Sequence, residues 1–133
     1  MIYAMFTLTI LTFVVGFLTV KARVAAVKDG ALSPGYFRLM QGQDVPETVT
    51  KTTRCFNNLF EVPVLFYVVC TLYIALGIDS QVALLVAWIF VAARGAQAYI
   101  HITHNHVMHR MLSFAASVVC VLMLWIYLIM YMG

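Results

Sequence analysis

The sequence predicts an all-α integral membrane protein, four transmembrane helices packed as a bundle in a single domain over residues 1–133. Three observations predict it. Hydrophobic residues make up 64% of the 133 and charged residues only 10%, so a soluble domain would lack the polar surface it needs, whereas a small polytopic membrane protein would not. Runs without any charge cover residues 1–20, 62–78, 80–93 and 111–133. With their flanks they reach the ~20 residues that a helix rising ~1.5 Å per residue needs to cross ~30 Å of hydrocarbon. Six of the eight Lys and Arg residues fall between Lys21 and Arg54, the asymmetry of a chain with one charged membrane face.

The first helix, about residues 1–27, carries its basic residues Lys21 and Arg23 after the apolar run and has no clear small-residue cleavage site. It reads as a retained span, not a secretory signal. A polar loop follows, about residues 28–52, in which Gly30, Ser33-Pro34-Gly35, Gly42 and Pro46 interrupt helix. Short helical pieces around turns are expected there, with Val45-Pro46-Glu47 beginning the approach to the second helix. That second helix is predicted over about 53–77, with Pro63 kinking it near Glu61 and freeing a backbone carbonyl. Gly77-Ile78-Asp79-Ser80 turns the chain into the third helix, about 81–104, and the fourth runs over about 108–131.

The positive-inside rule makes the long first loop cytoplasmic, which puts the N-terminus outside and brings Arg110, at the third connection, back to the cytoplasmic face. A bacterial inner membrane is the expected location. Tyr3, Tyr73, Trp125, Tyr127 and Tyr131 are expected in an aromatic belt at the opposite interface. The net charge of +3 belongs to one membrane face, where it suits anionic lipid headgroups, and not to a nucleic-acid surface. The three cysteines, Cys55, Cys70 and Cys120, lie in or at the end of apolar helices and read as buried small hydrophobes.

Against this background the polar residues inside the spans stand out. Arg54, Asn58 and Glu61 are spaced i, i+4 and i+7, and Arg94, Gln97 and His101 are spaced i, i+3 and i+7, so each set falls on one helical stripe. Neither stripe can face lipid, because a charge or amide within a bilayer is costly and turns inward to a partner. Counted from the cytoplasmic helix ends, Glu61 and Arg94 lie at similar depths of ~15 Å at ~1.5 Å per residue. An inter-helix Glu61–Arg94 ion pair is therefore predicted. The histidines at the third connection, His101, His104, His106 and His109, have no Cys partner and no adjacent carboxylate; they read as helix-end residues at the interface, and no metal site is predicted. Arg110 and Arg54 are expected to bring two guanidinium forks to one cytoplasm-facing cleft, a geometry suited to carboxylates.

Four spans in 133 residues, the basic first loop, the pattern Arg54-x-x-x-Asn58-x-x-Glu61, the stretch NNLFEVPVLFY and Arg94 in the third helix together resemble the membrane-associated proteins in eicosanoid and glutathione metabolism, the MAPEG family, across essentially the whole chain. The NNLFEVPVLFY stretch is similar to the helix-two signature of bacterial members. The resemblance implies a homotrimer of four-helix protomers with glutathione, as co-substrate, held between neighbouring subunits near the cytoplasmic side. It assigns Arg54, Asn58, Glu61 and Arg94 to glutathione binding, with Gln97 and His101 at the positions where glutathione-using members tend to carry His and Tyr. Arg110 matches the helix-four Arg that stabilises the thiolate in the family's synthases. Phe114 stands where a Tyr is frequent and Met111 where some members have a hydroxyl, so thiolate activation rests on Arg110.

Glutathione carries two carboxylates, an ammonium and a thiol. Arg54, Arg94 and Arg110, with Lys21 or Arg23 from the first loop, supply cations for the carboxylates and the sulfur, while Asn58 and Glu61 supply the rest. A guanidinium beside sulfur favours the nucleophilic thiolate. The expected activity is transferase-like, directed at a lipophilic electrophile or hydroperoxide that arrives from the membrane. Two other readings of the same residues stay open: a non-catalytic trimeric scaffold or lipid-binding protein in which the polar stripes only fix helix register, and a proton or metal pathway.

Overall fold

The structure is a computed structural model describing all 133 residues. It contains only helices: α1 (Ile2–Lys28), α2 (Tyr36–Leu39), α3 (Glu47–Asn58), α4 (Val62–Ala75), α5 (Gln81–Ile102) and α6 (Val107–Met132). Four stretches are long and apolar enough to cross a membrane: α1, α3 and α4 taken together over Glu47–Ala75, α5 and α6. The protein is thus an all-α integral membrane four-helix bundle.

Local chemistry explains each element. In α1 the hydroxyls of Thr7, Thr9, Thr12 and Thr19 each donate to the carbonyl four residues back, at 2.8–3.0 Å, so none enters the bilayer without an acceptor. Asp29 and Gly30, the latter at φ +71°, end the helix. The loop holds the single turn α2, which Met40 closes in the left-handed region at φ 54°. A small apolar cluster of Ala26, Leu32 and Val49 pins this loop against α1 and α3. Ser80 caps α5 by accepting from the Ala83 amide at 3.2 Å.

The second span departs from the expected kinked rod over 53–77. Its helix begins earlier, at Glu47, where the Pro46 turn releases the chain and Glu47 pairs with Lys51 at 2.6 Å, one turn on. It therefore takes over the last six residues of the expected loop, 47–52. It then stops at Asn58 and restarts at Val62. Pro63 has no amide hydrogen to donate to the Leu59 carbonyl and its ring crowds that turn, while proline suits the first turn of a new helix. Sequence pattern predicted a kink; the chain makes a complete break.

The helices pack into two unequal halves. Towards the ends of the bundle marked by Met1, Tyr73 and Leu128, α1, α4, α5 and α6 share a core of sixteen buried residues. Phe66 and Phe90 stack there face to face at 4.2 Å. Tyr73, expected in the lipid-facing belt, is instead fully buried and donates its hydroxyl to the Leu124 carbonyl at 3.0 Å. That partner removes the reason for the ring to seek the interface. Tyr3, Tyr127 and Tyr131 remain exposed. In the other half the core shrinks to Val15, Cys55, Leu59 and Ala98, and polar contacts take over between α1 and α3. Thr19 donates to the Thr52 carbonyl at 3.1 Å, and Arg23 donates from Nη2 to Thr53 Oγ1 at 3.2 Å. Gly16 lets the two helices close up, since a Cβ there would meet the Phe56 ring at 3.0 Å. Lipid is as apolar as these side chains, so cohesion rests on such packing and hydrogen bonds and not on exclusion from water. All three cysteines are buried and free.

Candidate functional site

Four of the seven residues singled out in the sequence, Asn58, Arg94, Gln97 and His101, line one crevice in the polar half. Arg94, Gln97 and His101 share the inward face of α5 and are all buried, as their spacing predicts. Arg94 is 0% exposed, an unusual setting for a guanidinium in a membrane helix. Its Nη1 donates to Gln97 Oε1 at 2.6 Å, and its cationic carbon lies 5.6 Å from the Phe90 ring centre and 5.2 Å from that of Phe114. Two aromatic faces thus take up part of the charge. Nε and Nη2 of Arg94, and Nδ1 of His101, are buried without any hydrogen-bond partner. Arg94 and His101 line, with Cys55, Asn58, Leu59, Gln97 and Ala98, a crevice too narrow for a water molecule.

From α3, Asn58 reaches the same crevice and is half-buried, whereas Arg54 is exposed. Arg110, in the first turn of α6, is half-buried and donates from Nη1 to Asn105 Oδ1 at 2.8 Å. Asn105 adopts φ 48° in the short α5–α6 turn, a conformation that asparagine tolerates better than most residues. Arg54, Arg110 and Lys51 all lie within electrostatic reach of His101, so the cations do gather at one end of the bundle.

Glu61 does not join them as expected. The predicted Glu61–Arg94 ion pair is not formed; the one ion pair in the chain is Lys51–Glu47, and Arg94 turns to Gln97 instead. The helix break is the reason. Because α3 ends at Asn58, Glu61 leaves the stripe of Arg54 and Asn58 and flanks the start of α4 as an exposed residue, though still within electrostatic reach of Arg94.

A model of the MAPEG family matches residues 1–130 of the 133. The chain belongs to the MAPEG family. No curated protein and no solved structure matches it. Membership brings a glutathione-related role in membranes at the level of the family.

The side chains fit that chemistry in kind. An anionic ligand needs N–H donors that no protein group already uses; Nε and Nη2 of Arg94 are such donors, and Nδ1 of His101 is likewise without a partner. Lys21 and Arg23, expected to add cations, do not line this crevice. Arg23 is committed to Thr53 and lies over the Phe37 ring at 5.7 Å. His106 and His109 stack at 4.5 Å between ring centres, and no three metal-ligating side chains gather anywhere. Sequence reasoning missed Phe90 and Asn105, and it read Cys55 as a buried small hydrophobe, which it is, without placing it beside Arg94. Phe90 was within reach of that reasoning, lying four residues before Arg94 on the same helical face; Phe114 was considered only for the hydroxyl it lacks.

Proposed function

We propose that this protein binds glutathione between the subunits of a homotrimer and stabilises its thiolate for attack on a lipophilic electrophile or hydroperoxide. The observation that carries the reading is Arg94, fully buried yet holding two unpartnered N–H donors beside the unpartnered Nδ1 of His101. A buried donor without an acceptor costs about 1–3 kcal/mol, more when charged, and a carboxylate ligand relieves that cost. Within one chain the crevice cannot admit the tripeptide. Close to Asn58 along the chain stand the exposed Arg54 and Glu61, charged groups for which lipid contact is unfavourable, and a neighbouring copy covering them would complete the walls.

In this reading Arg54 and Arg94 hold the carboxylates, Glu61 takes the ammonium, and Asn58, Gln97 and His101 orient the peptide amides. Arg110 takes the sulfur, its guanidinium favouring the thiolate over the thiol. The first loop then faces the cytoplasm of a bacterial inner membrane, and the acceptor enters from lipid. The scaffold reading draws on the Arg94–Gln97 bond and the two aromatic rings, which already anchor Arg94 within one chain.

Titrating the detergent-purified protein with glutathione decides between them. Expected are a subunit number of three by native mass spectrometry, a melting temperature that rises with ligand, and thiolate absorbance near neutral pH that Arg110→Gln removes while the trimer persists. An unmoved melting temperature at millimolar glutathione overturns glutathione binding and leaves the scaffold.

A further inference from the structure

A second cavity shares no residue with the Arg94 crevice. It is a groove of about 420 Å³ on the outer side of α1 where the loop folds back, lined by Arg23, Val24, Val27, Lys28, Pro34 and Phe37. Two cations stand over an apolar floor. Arg23 is held in place from two sides, by its bond to Thr53 and by the Phe37 ring, yet its Nε is buried with no partner. Lys28, in the last turn of α1, is exposed and makes no ion pair.

The height of the groove identifies what it meets. Arg23 follows Ile2 by 21 residues in an unbroken helix, about 31 Å at ~1.5 Å per residue, which matches the ~30 Å hydrocarbon thickness. Lys28, about 8 Å further along the axis, stands at headgroup level. Below the groove, Phe6, Ile10, Phe13, Phe17, Val20 and Val24 are all exposed. Their spacing of 4, 3, 4, 3 and 4 residues makes them one continuous stripe along α1. A cationic pocket at the boundary thus opens onto an uninterrupted apolar track through the hydrocarbon.

We propose that this groove is a headgroup site for an anionic phospholipid, whose phosphate lies between the Arg23 guanidinium and Lys28 Nζ and whose acyl chain lies along the Phe6-to-Val24 stripe. Charge complementarity selects the headgroup, and the track selects a membrane lipid over a free anion. Phe37 and Pro34 give the groove an apolar wall beside the two cations, which strengthens the pairing relative to diffuse attraction at a charged surface. The site is independent of glutathione binding and stands or falls separately from it.

Native mass spectrometry of the full chain, released from detergent with phosphatidylglycerol or phosphatidylcholine, tests it. Phosphatidylglycerol adducts are expected to survive collisional activation at which phosphatidylcholine adducts are lost. Each cation removed should lower retention about fivefold, the effect of roughly one surface cation on an anionic lipid, so Lys28→Gln loses fivefold and the Arg23→Gln/Lys28→Gln pair falls to the phosphatidylcholine level. Lys21→Gln, just outside the groove, should change nothing. Equal retention of the two lipids by the unaltered protein overturns the site, as it would if a second copy covered the groove. An equal loss from Lys21→Gln and Lys28→Gln overturns it in favour of diffuse surface charge. Displacement of the lipid by millimolar inorganic phosphate reassigns the groove to a free anion. If the double variant does not assemble, Lys28→Gln and the two-lipid comparison still decide.

Discussion

The two halves of the bundle hold similar lengths of helix and solve opposite problems. One half buries sixteen core residues around the Phe66–Phe90 stack and the Tyr73–Leu124 bond, and its polar groups there have found partners. The other buries four apolar residues in its core and keeps donors on Arg94 that nothing in the chain accepts, together with an unpartnered ring nitrogen on His101. A membrane protein has no spare hydrophobic drive with which to offset such donors. The well-packed half therefore tolerates the poorly satisfied one, and stability and ligand chemistry become separable along the membrane normal.

That separation can be attacked by substitution. The largest effect is expected from Phe66→Ala, which empties a fully buried stack and should cost on the order of 3–5 kcal/mol, read as a lowered melting temperature in detergent with the glutathione-induced increment unchanged; a lost increment would show that the halves are coupled. Arg110→Gln should do the reverse, lowering the rate of thiol conjugation by about 100-fold, the scale of a removed charge-stabilising donor, with melting unaltered. Arg94→Met keeps the volume and the contact with Phe90 and Phe114 while removing the orphaned donors. Replacing a buried charge by an apolar side chain is often neutral or stabilising, so an unchanged or raised melting temperature is expected together with loss of at least about 2 kcal/mol of glutathione affinity, measured by titration. A sharp drop in stability instead would assign Arg94 to structure alone. The smallest change is Tyr73→Phe, which removes one buried bond in the apolar half. It should cost about 0.6 kcal/mol, as interhelical hydrogen bonds in membranes do, with no change in glutathione response.

The sequence disclosed the parts of the molecule that depend on composition and period. Charge-free runs located the four spans because the bilayer's thickness fixes their length. The spacing of Arg94, Gln97 and His101 disclosed their common inward face because α5 is regular throughout. Glu61 was misplaced because helical spacing holds only while the helix does, and the apolar pattern of the second span runs without change through the break at Leu59–Glu61. Proline at position 63 marked the place but not whether the chain would bend or stop. Partners that depend on a neighbouring element were invisible for a different reason. Which acceptor meets Tyr73, or which ring meets Arg94, is set by the register of α6 against α4 and α5, and no single helix encodes that register.

The interruption of the second span has a result that outlasts any side chain. Where α3 stops and α4 restarts, the negative pole of one helix and the positive pole of the next confront each other near the midpoint of Glu47–Ala75, each worth roughly half an elementary charge. Backbone alone thus polarises the bilayer interior beside Asn58. Neutralising every ionisable group nearby would leave that field standing, and this stretch of chain can never behave as an inert hydrocarbon rod.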